Sequence, residues 1–200
     1  MRTDLRKTLF IGAAIWFITA SGLSAQTAEA SKAPAAAPYR LDLAITYSAT
    51  LSDVVGGSNF WMQGGSVQAH GELYRGLGVV GDLSGSHQGN IQSSGVSLDM
   101  VTTTFGPRYT WQPAHARYSF YGQALAGIAN GFHSDFPTPS GVVPSPVSLA
   151  LKFGGGLNIA LTPHVGLRAL EANWLRTQFP NSATNVQNSC QLNTGLVLRF

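Results

Sequence analysis

From Tyr39 onward the chain alternates between apolar and polar residues with a period of two. In "YRLDLAITYSATL", Leu41, Leu43, Ile45, Tyr47, Ala49 and Leu51 fall on one face, and Asp42, Ala44, Thr46 and Ser48 on the other. That period places successive side chains on opposite sides of an extended strand. Seven more segments read the same way: 65–74, 77–85, 96–111, 117–129, 147–161, 165–179 and 191–200. In the second, Val67, Ala69 and Leu73 oppose Gln68, His70 and Glu72; in the third, Leu77, Val79 and Leu83 oppose Gly78, Val80, Asp82 and Ser84. Two segments are irregular. In 96–111 the apolar face begins with Leu98 and Met100, and Gly106-Pro107 predicts a bulge with a change of parity. In 165–179, Arg168 and Glu171 have opposite parity, which predicts a second slip. No stretch keeps a helical period, and no apolar run after Tyr39 reaches the roughly 20 residues of a membrane helix.

The connections alternate in length. Ser52–Gly64, Ser86–Gly95, Asn130–Pro146 and Pro180–Cys190 are long, whereas Arg75-Gly76, Gln112–Ala116 and Thr162–His164 are short. An up-and-down meander gathers all the long loops at one end and all the tight turns at the other. The expected fold is therefore all-β, an eight-stranded antiparallel up-and-down barrel, and the loop pattern is that of a transmembrane barrel.

Composition decides between lipid and water. Charged residues make up 10% of the 200 residues, against the usual quarter. The polar faces carry Gly, Ser, Thr, Asn and Gln rather than the Lys and Glu of a soluble, lipocalin-like barrel, which remains the alternative. Aromatic residues collect at strand ends: Tyr39, Tyr74, Trp111, Tyr118 and Phe200 toward the turns, and Phe60, Trp61, Trp174 and Phe179 toward the loops. Two such girdles are expected where rings meet the two membrane interfaces.

The N-terminus accounts for most of the net charge of +3. Arg2, Arg6 and Lys7 precede the apolar run "LFIGAAIWFITA", and small residues follow, so residues 1–25 are expected to be a cleaved export signal, with cleavage as late as residue 30. Residues 26–38 read as an Ala/Pro linker and 39–200 as the barrel. Without the first 25 residues, nine basic and eight acidic groups remain (12 − 3 and 9 − 1), and nothing in that balance points to nucleic acid. Cys190 is the only cysteine, which excludes an intramolecular disulfide.

Several stretches resemble known sequences. The terminal "QLNTGLVLRF", with Leu192, Thr194, Leu196, Leu198 and Phe200 on alternate positions, resembles the assembly signal of bacterial outer-membrane proteins. "FGPRYTW" (Phe105 to Trp111), "GGGLNIALTPHVGLRALEANWLRT" (Gly154 to Thr177) and "LNTGLVLRF" resemble small outer-membrane barrels of the OmpA-like/OmpX-like group, most nearly a set of short acidobacterial-type barrels. That set is often acidic where this chain has Asn158 and Asn173, and tyrosine-like at Trp174. The resemblance implies an outer-membrane location. It also implies that the chain meets periplasmic chaperones and the barrel assembly machinery on its way to outer-membrane lipid.

Candidate chemistry is sparse. "GLGVVG", Gly76 to Gly81, matches a dinucleotide fingerprint, but "DLSGSHQGN" follows it where a helix is needed, so no cofactor is expected. The five histidines form no local metal-ligand motif. A lipid A-modifying enzyme would need Ser, His and a carboxylate converging at the loop end; His133, Ser134 and Asp135 are merely adjacent, and no GxSxG exists, so the chain is not expected to be an enzyme. Asp42, Glu72, Asp82, Asp99, Arg108, Lys152, Arg168 and Glu171 are expected to face inward as a salt-bridged plug, because buried charges must be paired and eight strands enclose little more than their own side chains. Phe60, Trp61, Phe132 and Phe136 are expected on the external loops as contact residues. The resulting expectation is a monomeric barrel with a structural or surface-interaction role, such as adhesion or scaffolding, whose surface ligand the sequence does not name. A narrow channel and a lipid A enzyme are the alternatives.

Overall fold

A computed structural model describes residues 41–53, 59–89, 97–133, 136–138, 141–180 and 185–200. The expected export signal and linker, together with Tyr39, lie outside these residues. The strands are β1 (Leu41–Ser52), β2 (Phe60–Tyr74), β3 (Leu77–Gln88), β4 (Leu98–Trp111), β5 (Tyr118–Phe132), β6 (Phe136–Thr138), β7 (Gly141–Val143), β8 (Val147–Ala160), β9 (Val165–Thr177) and β10 (Gln187–Arg199). Eight of them close an antiparallel barrel in the order β1-β10-β9-β8-β5-β4-β3-β2, and β6 and β7 form a separate hairpin within the β5–β8 connection. Closure is made by β1 against β10, with Leu43 opposite Leu198, Ile45 opposite Leu196 and Ala49 opposite Leu192. Closing the sheet leaves no edge strand with unpaired backbone groups.

Alternation survives nearly the whole circuit. Leu41, Ile45, Tyr47, Val67, Leu83, Phe105, Ile128, Leu149, Phe153, Leu170 and Leu196 are exposed on the outer wall, while Thr46, Ser66, Gln68, Asp82, Arg108, Lys152 and Glu171 are buried within. This inverts a water-soluble protein, where apolar groups are enriched inside. Aromatic residues concentrate at the turn end: Trp111 stacks on Phe120 with ring centroids 6.0 Å apart, and Tyr118 meets Phe120 edge-on at 5.7 Å. Nearer the loop end, Phe153 stacks on Trp174 at 5.8 Å.

Two expectations about register had different outcomes. The slip in β9 is present: the pairing of β9 with both neighbours shifts between Arg168 and Glu171, so that both side chains point inward. The parity change in β4 is absent. Register with β3 runs unbroken from Gln88↔Leu98 to Leu77↔Tyr109, straight past Gly106 and Pro107. Pro107 points outward, and Gly106 packs with its Cα hydrogens toward β5, where a Cβ would fall 2.1 Å from the Ala124 carbonyl oxygen. Leu98 and Met100 therefore face inward and Asp99 faces outward, the reverse of the expected assignment.

The strands also reach further than their alternation indicated. β2 begins at Phe60, so the first long connection is shorter than Ser52–Gly64, and β3 continues to Gln88. At the loop end the interior turns apolar: Phe60, Met62, Leu98, Met100, Ala129, Ala150 and Leu175 from the strands meet Phe136 from the small hairpin and Phe179 from beyond β9. Phe136 packs on Phe179 with centroids 5.4 Å apart. Gly131 makes the room, since a Cβ there would fall 2.6 Å from the Phe136 ring.

Candidate functional site

The lumen is stratified along the barrel axis. Its loop end is the apolar cap just described. Beneath the cap, on the β1–β4 side, lies a zone of hydroxyls that bond in pairs across strands: Thr46 to Ser66 at 2.7 Å, Ser84 to Thr102 at 2.6 Å and Thr50 to Ser86 at 3.5 Å. Small polar side chains at cross-strand positions let each hydroxyl satisfy its neighbour without water.

Below that is a charge network. Lys152, fully buried, donates to Asp82 Oδ1 at 2.5 Å and to Ser84 Oγ at 3.2 Å. Arg168, 1% exposed, donates to Glu171 Oε2 at 2.8 Å. Glu171 also accepts from Asn173 and Asn193, both at 2.7 Å, from Gln68 at 3.0 Å and from the Tyr121 hydroxyl. Gln68 is the hub: its amide nitrogen reaches both Asp82 and Glu171, and its carbonyl oxygen accepts from Arg108 and Arg168, both at 2.5 Å. Arg108 donates its Nε to Gln123 at 3.0 Å. The Tyr121 ring lies 4.2 Å from Arg108 Cζ and 5.1 Å from Arg168 Cζ, in cation–π contact with both. Gly156 admits that ring, because a Cβ there would stand 2.6 Å from the Tyr121 hydroxyl.

Among the described residues, the buried charges of the network are Asp82 and Glu171 with Arg108, Lys152 and Arg168, while Asp42, Glu72 and Arg199 are half-buried toward the turn end. Each of the two buried carboxylates meets a cation, as low dielectric demands, since an unpaired buried charge is costly. At the turn end His70 Nδ1 sits 3.9 Å from Asp42 Oδ2. The void between His70, Asp42, Arg108, Asn158 and Arg199 is about 10 Å³, room for about one water.

Of the eight residues expected to form the network, Asp82, Arg108, Lys152, Arg168 and Glu171 are brought together. Asp42 and Glu72 face inward but lie below them at the turn-end mouth. Asp99 is corrected: it stands on the outer wall at the loop end, where Oδ1 pairs with His87 Nδ1 at 2.5 Å and Oδ2 with His133 Nδ1 at 2.6 Å. Ser97 Oγ donates to the His133 carbonyl at 3.2 Å. Among the described residues no hydroxyl bonds either ring, and Ser134 and Asp135 lie outside them.

The expected loop contacts divide. Trp61 is exposed on the outer wall and Phe132 is half-buried, but Phe60 and Phe136 are buried in the cap, where their rings fill the mouth rather than meet a partner. Phe179, expected in the outer girdle, is buried there too. Leu192, Thr194, Leu196 and Leu198 line the outer face of β10, and Phe200, at the turn end, exchanges backbone hydrogen bonds with Leu41. The "GLGVVG" stretch runs from the tight turn straight into β3, with no helix after it. The sequence reading overlooked Tyr121, Gln123 and Asn193 as network members. Their parity could have found them, since each shares a face with other inward polar residues of its strand.

The same architecture occurs in solved structures. The attachment invasion locus protein Ail of Yersinia pestis superposes with a TM-score of 0.55 at 17% identity, covering 81% of this chain and 99% of that one. Neisserial surface protein A (NspA) gives 0.59 at 15% identity, covering 84% of this chain and 100% of that one. No family model matches the chain, and no curated protein matches it.

Proposed function

We propose that the protein is an integral outer-membrane barrel with a closed lumen and a structural or surface-interaction role, not an enzyme. One observation carries this reading: a closed barrel whose exposed wall is apolar and aromatic while its buried face holds a hydrogen-bonded ionic network. Such a wall in water would be an apolar patch far larger than soluble monomers tolerate. In lipid it is the expected surface, and the closed sheet leaves no unpaired edge. Two solved barrels of similar fold are named as an attachment protein and a surface protein. That agrees with a role borne by the loop end, reached by export and assembly as the leader and terminal strand suggest.

The filled lumen argues against a wide pore. Purified protein should resist denaturation at room temperature and shift on gels only after boiling. In planar bilayers it should give no stable conductance in the nanosiemens range. Reproducible openings of that size would overturn the closed lumen, and recovery as a soluble protein with no gel shift would overturn the membrane reading itself.

A further inference from the structure

At the turn end, the β2–β3 hairpin and the end of β4 enclose an open polar cleft of about 320 Å³, lined by Glu72, Arg75, Tyr109, Thr110, Trp111 and Gln112. The hairpin is docked there by two bonds: Glu72 Oε1 accepts from the Gly76 amide at 2.8 Å, and the Gly76 carbonyl accepts from the Thr110 amide at 2.7 Å. Arg75 and Gly76 form the two-residue turn, both with positive φ, 45° and 85°. Asn-Gly or Gly-Gly is the usual chemistry of such a turn. A long side chain held left-handed at its first position is strained, and a strained residue of that kind directs attention to what its side chain does.

Among the described residues Arg75 forms no ion pair. Its guanidinium lies over the exposed Tyr74 ring, 5.1 Å from the centroid. Among the described residues, Glu72 bonds through one carboxylate oxygen, to a backbone amide, and forms no ion pair. The cleft thus holds one cation and one anion that line the same space without bonding to each other. That separation suits a ligand carrying both charges. Tyr109 and Trp111, both exposed on the outer wall, join the cleft to the apolar belt.

We propose that this cleft binds the headgroup of a zwitterionic phospholipid of the adjoining leaflet, with Arg75 on the phosphate and Glu72 on the ammonium. Tyr109 and Trp111 flank the glycerol and the first methylenes, which favours a lipid over a free zwitterion. The inference rests on the membrane reading above.

The test is lipid retention by the full barrel, extracted in detergent doped with equal phosphatidylethanolamine and phosphatidylglycerol and read by native mass spectrometry. One charge-assisted hydrogen bond corresponds to about tenfold. The wild type should therefore retain phosphatidylethanolamine about tenfold over phosphatidylglycerol. Glu72→Gln, which keeps an acceptor for the Gly76 amide, should bring the two lipids to parity. Arg75→Ala should lower retention of both. Boiling-dependent gel shifts of both variants confirm that the barrel is intact. Equal retention of the two lipids by the wild type, or a preference unchanged in Glu72→Gln, would overturn the headgroup site while leaving the barrel in lipid. Free phosphoethanolamine displacing the lipid from the wild type at equal concentration would overturn the lipid as occupant. Failure of the wild type to enter vesicles at all would overturn this site and the membrane reading together.

Discussion

The two ends of the lumen close the same barrel by opposite means. Toward the turns, the interior is ionic, with Arg108, Arg168, Lys152, Asp82 and Glu171 cross-linked through Gln68 and Tyr121. Toward the loops, the same inward-facing positions carry Phe60, Met62, Leu98, Met100, Phe136 and Phe179. The ionic tier depends on direction and pairing, so each member requires the others. The apolar tier depends on volume, and its members are more nearly interchangeable. Strand parity fixes which residues meet inside a barrel, but the kind of cohesion is chosen tier by tier.

The sharpest way to break this contrast is at Glu171. Glu171→Gln keeps the shape but leaves the buried Arg168 without its carboxylate partner. Removing one partner of a buried pair costs about 3–5 kcal/mol, and that loss is expected in denaturant unfolding from lipid vesicles. A change under about 1 kcal/mol would mean that water reaches the network freely. Exchanging both members of the other pair tests the same point from the opposite side. Lys152→Met alone should cost about 3 kcal/mol, and Lys152→Met with Asp82→Leu should recover most of it, because a buried pair replaced by packed apolar groups is often neutral. A double variant no more stable than Lys152→Met alone would show that the pair contributes net stability over its apolar replacement. In the cap, Phe179→Ala should cost about 2–3 kcal/mol, near the transfer value, since neighbours at an open mouth can relax into the space. Because the ionic tier remains shut below it, this variant should stay non-conducting. Stable conductance would place the seal in the cap instead.

The same contrast explains what the sequence reveals. The strand count, the alternation of long and short connections and the slip near Arg168 follow from period-two patterning, because one face of nearly every strand is apolar and meets the outside. The reading fails where that rule reverses. Leu98 and Met100 are apolar yet inward, so hydrophobicity alone turned Asp99 inward, and the bulge expected of Gly106-Pro107 is absent because Pro107 faces outward without interrupting the pairing. Phe60, Phe136 and Phe179 fail for the same reason: rings beside loop-like residues read as exposed, while the barrel mouth needs their volume. For the network, alternation indicates which charges point inward. The axial stagger between strands, which decides that Lys152 meets Asp82 and that Asp42 stays near His70, is a property of closure and is not written in any one segment.

Asp99 offers the mildest test. It joins β4 to His87 on β3 and to His133 just beyond β5, all on the solvent side of the loop end. His133 adopts a positive φ of 55° where its imidazole meets that carboxylate. Exposed ionic contacts are worth about 0–1 kcal/mol, so Asp99→Asn should destabilise by no more than that. High salt distinguishes it from the interior. The Debye length falls to about 3 Å at 1 M, so the effect of Asp99→Asn should largely vanish there, whereas the cost of Glu171→Gln should persist. If the two variants respond alike to salt, the interior is as open to ions as the rim, and the distinction between a sealed ionic tier and a solvated one no longer holds.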